Sequence, residues 1–297
     1  MPYIRLAILT ILTLTAFAGN SLLCRAALAH AHIDAVSFTA IRLLSGAVVL
    51  WILVRIRGGG SFGGGNWLSA LALFMYAAGF SFSYLHLTAA AGALILFGAV
   101  QTTMIGYGLW SGERMRPLQV VGLVMACGGL VGLLLPGLSA PPLVGALLML
   151  GAGVAWGVYS LRGKGAGDPL RVTGGNFLRA APLALVLGVA LSSQASWDYA
   201  GVGYAFISGA LASGMGYAIW YTVLPFLKST TAATVQLSVP VIAALGGVIF
   251  LREPLTLRLL AASAAIVGGI ALVVWVGYRK ETPNHSLKAD VPAGPRS

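Results

Sequence analysis

Acidic side chains are scarce in this chain, with 7 Asp and Glu among 297 residues against 18 Lys and Arg. Charged residues amount to 8%, whereas a soluble domain carries about 25%, so a solvated surface is excluded. Cysteine is nearly missing: Cys24 and Cys127, each in or beside an apolar run, make neither a disulfide framework nor a metal-ligand spacing. No carboxylate falls near the middle of an apolar run. Asp34, Glu113, Asp168, Asp198, Glu253, Glu281 and Asp290 stand at run ends, in loops or in the tail. That placement counts against proton coupling through a buried acid and leaves His86 as the one titrating candidate within a span. A nucleophile–base pair or metal cluster at depth is also lacking, so no enzyme, cofactor or metal is expected.

What the chain has is apolar length. Hydrophobic residues make up 58% and the mean hydropathy is +0.91. A helix of about 20 residues crosses the hydrocarbon layer of a bilayer. Runs of that kind, separated by Gly, Pro or charge, lie at 4–24, 34–54, 67–87, 91–111, 117–135, 142–161, 172–191, 201–223, 230–250 and 256–277. The expected class is all-α, a polytopic protein of ten transmembrane helices. The net charge of +11 belongs to loops facing an anionic membrane surface rather than to nucleic-acid binding. With the N-terminus inside, Arg5, Arg55, Arg57, Arg114, Arg116 and Arg162 fall on the cytoplasmic side, as do most other cations. Both termini are therefore expected in the cytoplasm. Ala27-Leu28-Ala29 resembles a signal-peptidase site, but the preceding run is too long and Arg25 is misplaced for one, so the first span is read as retained. The tail from Arg279 is polar, proline-bearing and expected to be disordered.

The segment "VPVIAALGGVIFLREPLTL" (239–257) has a worn copy in "AVQTTMIGYGLWSGERMRP" (99–117). Gly106 matches Gly246 and Glu113 matches Glu253 (246 − 106 and 253 − 113 are both 140), and the offset carries on to Gly128–Gly129 and Gly268–Gly269. Thr39-x-x-Arg42 likewise answers Asn176-x-x-Arg179. Each copy holds five spans, an odd number, so the second enters the membrane from the opposite side. The expected organisation is a first repeat over 1–138, a second over 139–278 and a tail over 279–297. Two inverted five-helix repeats around a central cavity are the mark of alternating-access carriers.

Pro240, Gly246, Glu253 and the Gly268–Gly269 pair resemble the EamA domain of the drug/metabolite transporter superfamily, with Val100 standing in the first copy where that family often has Pro. The resemblance implies a bacterial inner-membrane exporter, closest to those of amino acids, including aromatic and apolar ones, with other metabolites or drugs as the alternative cargo. It implies a cavity lined mainly by spans 1, 3, 4, 6, 8 and 9, with spans 2 and 7 off it. A small-molecule substrate, the lipid bilayer, and a monomer or weak dimer follow.

Span 3 carries Tyr76, Phe80 and Tyr84 on one helical face, and span 8 carries Tyr217, Trp220 and Tyr221. Trp156 and Tyr159 on span 6 add a further aromatic wall, which suits apolar ligands. Asn20, Gln101 and Gln236 offer donors and acceptors inside spans, as do Ser21 and Ser238, although interhelical bonding is a common use of such groups; Asn20 and Gln101 are the favoured pair. Arg42 and Arg179 are charges within spans, read as structural anchors ahead of a substrate role. Glu113 and Glu253 are read as caps of the helices that follow them, ahead of a gating ion pair. His30-x-His32-x-Asp34 is read as an interfacial loop, ahead of a zinc site.

Overall fold

The computed structural model describes residues 2–58, 64–112, 114–137, 140–163, 165–227 and 235–281. Its helices are α1 (Tyr3–His30), α2 (Ala35–Ile56), α3 (Trp67–Tyr84), α4 (Ala89–Trp110), α5 (Pro117–Leu134), α6 (Leu143–Gly163) and α7 (Pro169–Ala190). There follow α8 (Tyr199–Phe226), α9 (Ser238–Leu251) and α10 (Leu257–Glu281). Among the described residues nine are long and apolar enough to cross a membrane, and α9 is a shorter apolar helix. The chain is a polytopic membrane protein.

The scarce acids mostly serve helix starts, whose first amides have no partner within the helix. Asp34 accepts from the amides of Val36 and Ser37, both at 2.9 Å. Asp168 takes the Arg171 amide and Asp198 the Gly201 amide, each at 2.8 Å. Asn66 and Thr88 do the same for α3 and α4. α1 runs past the expected end at 24 to His30, straight through Ala27–Ala29, because the Arg25 side chain finds an acidic partner instead of ending the helix. α9 starts late: Val235 and Gln236 are helical, Leu237 turns, and the helix resumes at Ser238. Pro240 cannot donate to the Gln236 carbonyl four residues back, which is where the break falls.

Helix packing follows an exchange rule. α5 lies along α10, α2 along α7 and α4 against α9, each with the helix five places on. Other pairings come in exchanged couples: α3–α6 with α1–α8, α4–α6 with α1–α9, and α2–α8 with α3–α7. The α5–α10 crossing is backbone to backbone. A Cβ on Gly122 would stand 2.6 Å from the Gly269 carbonyl oxygen, so only small residues fit there. Val124, Val189, Ile249 and Phe250 point outward, as lipid-facing side chains do.

Some relations break the rule: α4 also packs on α5 and α10, with no comparable packing of α9 on α10 and α5 among the described residues. α1 packs on both α3 and α4, while among the described residues the matching faces of α6 with α8 and α9 part around a cavity.

Candidate functional site

The cavity has a volume of about 440 Å³ and its mouth lies beside the α6–α7 turn, at Gly163, Gly165 and Gly167. α4 contributes Gln101 and Met104, α6 Tyr159 and Ser160, and α8 Trp220 and Tyr221. Gln236 closes the wall from the α9 side. α7 contributes Val172, Thr173 and Asn176, so the expectation that span 7 lies off the cavity is corrected. The mouth opens at the end where α7 begins, which brings the first turns of α7 onto the wall, while spans 1 and 3 stay off it.

Two wall groups lack a hydrogen-bond partner among the described residues. Gln101 is 3% exposed, and its Nε2 finds no hydrogen-bond acceptor among the described residues. The Tyr221 hydroxyl likewise makes no well-formed hydrogen bond among the described residues, although Ser160 lies beside it. Leaving a buried donor unpaired costs about 1–3 kcal/mol. Tyr159 is steadied by Asn176, whose Nδ2 donates to its hydroxyl at 3.4 Å.

Behind this wall stands a partition of rings. Tyr159 stacks on Trp156 at 5.4 Å between centroids, and Trp156 packs on Tyr217 at 4.5 Å and on Tyr76 at 4.8 Å. Beyond the rings lies a buried polar network. Arg42 Nη2 donates to the hydroxyls of Tyr76 (3.1 Å) and Tyr217 (3.2 Å), and its Nε donates to Ser213 Oγ at 3.0 Å. Asn20 Nδ2 donates to the Tyr76 hydroxyl, and Ser208 Oγ donates to Asn20 Oδ1 at 2.6 Å. Ser208 and Ser213 belong to a π-helical stretch of α8, Ser208–Met215, pressed against α2. Such stretches often accompany functional sites.

Five sequence-predicted residues therefore meet at the cavity: Gln101, Tyr159, Trp220, Tyr221 and Gln236. Asn20, Tyr76 and Tyr217 meet in the network behind it, with Trp156 between the two groups. Phe80 and Tyr84 stand apart from the wall. Phe80 lies under the Arg42 guanidinium at 4.9 Å, and the Tyr84 ring packs edge-on to Phe80. Arg179 donates to the carbonyls of Gly64 and Gly175, which ties a loop to its own helix. Sequence reasoning missed Asn176, Thr173, Ser208 and Ser213. The repeat of Thr39-x-x-Arg42 as Asn176-x-x-Arg179 was the one signal that pointed at Asn176.

At the end opposite the mouth, Arg25 Nε meets Glu253 Oε1 at 2.9 Å and Arg25 Nη1 donates to the Tyr84 carbonyl at 3.0 Å. Glu253 Oε2 accepts from the Ala89 amide at 2.8 Å. This corrects the reading of Glu253 as a cap of the helix that follows it. α10 starts at Leu257, four residues on, and is capped by Thr256, so Glu253 instead caps α4. Glu113 lies outside the described residues. His86 is exposed in the α3–α4 turn, which removes it as a titrating group within a span. His30 and His32 are exposed, Asp34 is taken up by Val36, Ser37 and Ser196 amides, and no metal-holding group is found among the described residues.

Residues 143–275 match the model of the EamA-like transporter family. An uncharacterized protein of Pseudomonas aeruginosa is 56% identical over 275 residues, 92% of this chain and 96% of that one. The threonine/homoserine exporter RhtA of Escherichia coli is 33% identical over 173 residues, 56% of this chain and 58% of that protein. A solved crystal structure superposes with a TM-score of 0.66 at 21% identity, over 91% of this chain and 99% of that chain.

Proposed function

Starting from a chain that belongs to the EamA-like transporter family, we propose that it exports amino acids, apolar and aromatic ones included, across a bacterial inner membrane by alternating access. The observation that carries this reading is a cavity with its mouth at one end, walled by aromatic rings and unpaired amide and hydroxyl groups, while the other end is latched by Arg25 and Glu253. A guest with a polar head and an apolar side chain matches such a wall. The name of the RhtA relative, a threonine/homoserine exporter, supports the substrate class.

The mouth lies at the end that carries Arg55, Arg162 and Arg171. By the cation bias of cytoplasmic loops this is the inner face, so the cavity takes its load from the cell interior. The exchange rule in the packing supports two inverted repeats, 1–138 and 139–278, whose swap of shape would close the α6 side and part the α1 side. With Asp34, Asp168, Asp198 and Glu253 engaged at helix ends, translocation is driven by the substrate gradient rather than by proton coupling.

Purified protein in liposomes tests this. Saturable counterflow of threonine, homoserine, leucine or phenylalanine, persisting when a proton gradient is collapsed, is the expected result. Counterflow of quaternary amines with none of amino acids would overturn it.

A further inference from the structure

Arg42 is 1% exposed inside α2, and its five N–H groups are unequally used. Nε goes to Ser213 and Nη2 to two tyrosine hydroxyls, while Nη1 has no partner among the described residues. No carboxylate belongs to its network among the described residues. The one ion pair among the described residues joins Arg25 to Glu253. Among the described residues the charge is faced by hydroxyl dipoles, by the Cys24 thiol and by the rings of Tyr76 and Phe80, at 5.1 and 4.9 Å. An uncompensated guanidinium in a low-dielectric interior is costly, and persists where a function requires it. Its repeat counterpart Arg179 donates to two backbone carbonyls, so the fold itself does not require an under-bonded arginine here.

A chain of ring contacts leads from the cavity to the Arg42 guanidinium. Tyr159 lines the cavity, stacks on Trp156, and Trp156 packs on Tyr217, which accepts from Arg42. We propose that Arg42 is the carboxylate anchor of the transported solute: its free Nη1 donors take the carboxylate once the Trp156–Tyr217 ring wall parts. This rests on, and deepens, the amino-acid reading above. A fixed cation at the end of the path favours carboxylates, disfavours quaternary amines, and leaves amides without the charge-assisted bond.

The test measures binding to the purified protein through ligand-induced shifts in melting temperature, using matched pairs. Phenylalanine is compared with phenylalaninamide, threonine with threoninamide, and 3-phenylpropionate with 3-phenylpropionamide. Each acid is expected to bind about tenfold or more tightly than its amide, the step a charged hydrogen bond adds over a neutral one. Arg42→Gln should bring that ratio close to one, and Arg42→Lys should keep part of it. Equal binding of acid and amide by the native chain overturns the anchor, as does an unchanged ratio in Arg42→Gln, and as does no binding of any acid. Should Arg42→Gln not fold, the native pairs and Arg42→Lys decide. Selective binding of 3-phenylpropionate without amino-acid counterflow upholds the anchor and rejects the amino-acid reading.

Discussion

Arg25 and Glu253, 228 residues apart in the chain, meet at 2.9 Å and join the end of α1 to the α9–α10 turn. The same carboxylate holds the first amide of α4, so one residue fastens three helices at the end away from the mouth. The side chains are 20% and 10% exposed. Breaking the pair therefore costs less than the 3–5 kcal/mol of a fully buried one, about 2 kcal/mol.

Opening of that end can be read at Cys24, which is wholly buried beside Arg25. In a Cys127→Ser background, Glu253→Gln should speed labelling of Cys24 by a water-soluble maleimide roughly 30-fold, as about 2 kcal/mol implies. Glu253→Ala, which also removes the α4 cap, should label at least as fast. Labelling rates equal to that of the parent would remove the latch from the account.

Gln101 offers a trade between stability and binding. Its unpaired Nε2 is a standing cost of about 1–3 kcal/mol. Gln101→Met, similar in size and without the donor, should raise the melting temperature by a few degrees while weakening amino-acid affinity severalfold. A variant that loses stability along with affinity would show that Nε2 is satisfied within the protein.

The twin glycines of the repeat separate by what lies above them. A Cβ on Gly129 would stand 2.7 Å from Ala265 Cβ, and one on Gly269 would run into the Gly122 carbonyl. Gly128 and Gly268 face open space. Gly269→Ala should destabilise by about 1–3 kcal/mol through overpacking. Gly268→Ala should be neutral or stabilise by up to about 1 kcal/mol from helix propensity. Melting in detergent ranks the two, and equal losses would contradict the crossing described for α5 and α10.

Asp34 gives a pH dependence outside the membrane spans. Burial pushes its carboxyl up, but hydrogen bonds from Ser37, Ser196 and Val36 outweigh that and hold it below the ordinary value. The cap is then worth about 1 kcal/mol at neutral pH. A depressed folded value means the contribution is complete above about pH 4, the unfolded value, and is lost as pH falls through the folded one. The gap in melting temperature between the native chain and Asp34→Ala should therefore be constant from pH 7 to about 5 and close below about 4. A gap that widens on acidification would reverse the sign.

The helices were legible because hydropathy and capping residues are local: the expected span 34–54 stands as Ala35–Ile56, and 117–135 as Pro117–Leu134. Gln101, Tyr159 and Tyr221 were legible as polar or aromatic groups on spans expected to meet. Glu253 was misread because its partners, Arg25 and Ala89, are remote in the chain and no local pattern encodes them. Arg42, read as a structural anchor, does tie α2 to α3 and α8. Its free Nη1 is a shortfall of partners, visible only once all the neighbours are in place.

Ser208 and Ser213 are five residues apart, yet both reach polar groups on α1 and α2. In an unbroken α-helix such positions diverge by about 140°. The wider π turn keys the two ends of α8 to their neighbours independently. Deleting a single residue between them would turn Tyr217, Trp220 and Tyr221 by about 100° relative to Tyr199–Ile207, so the span behaves as a phase setting rather than a rod.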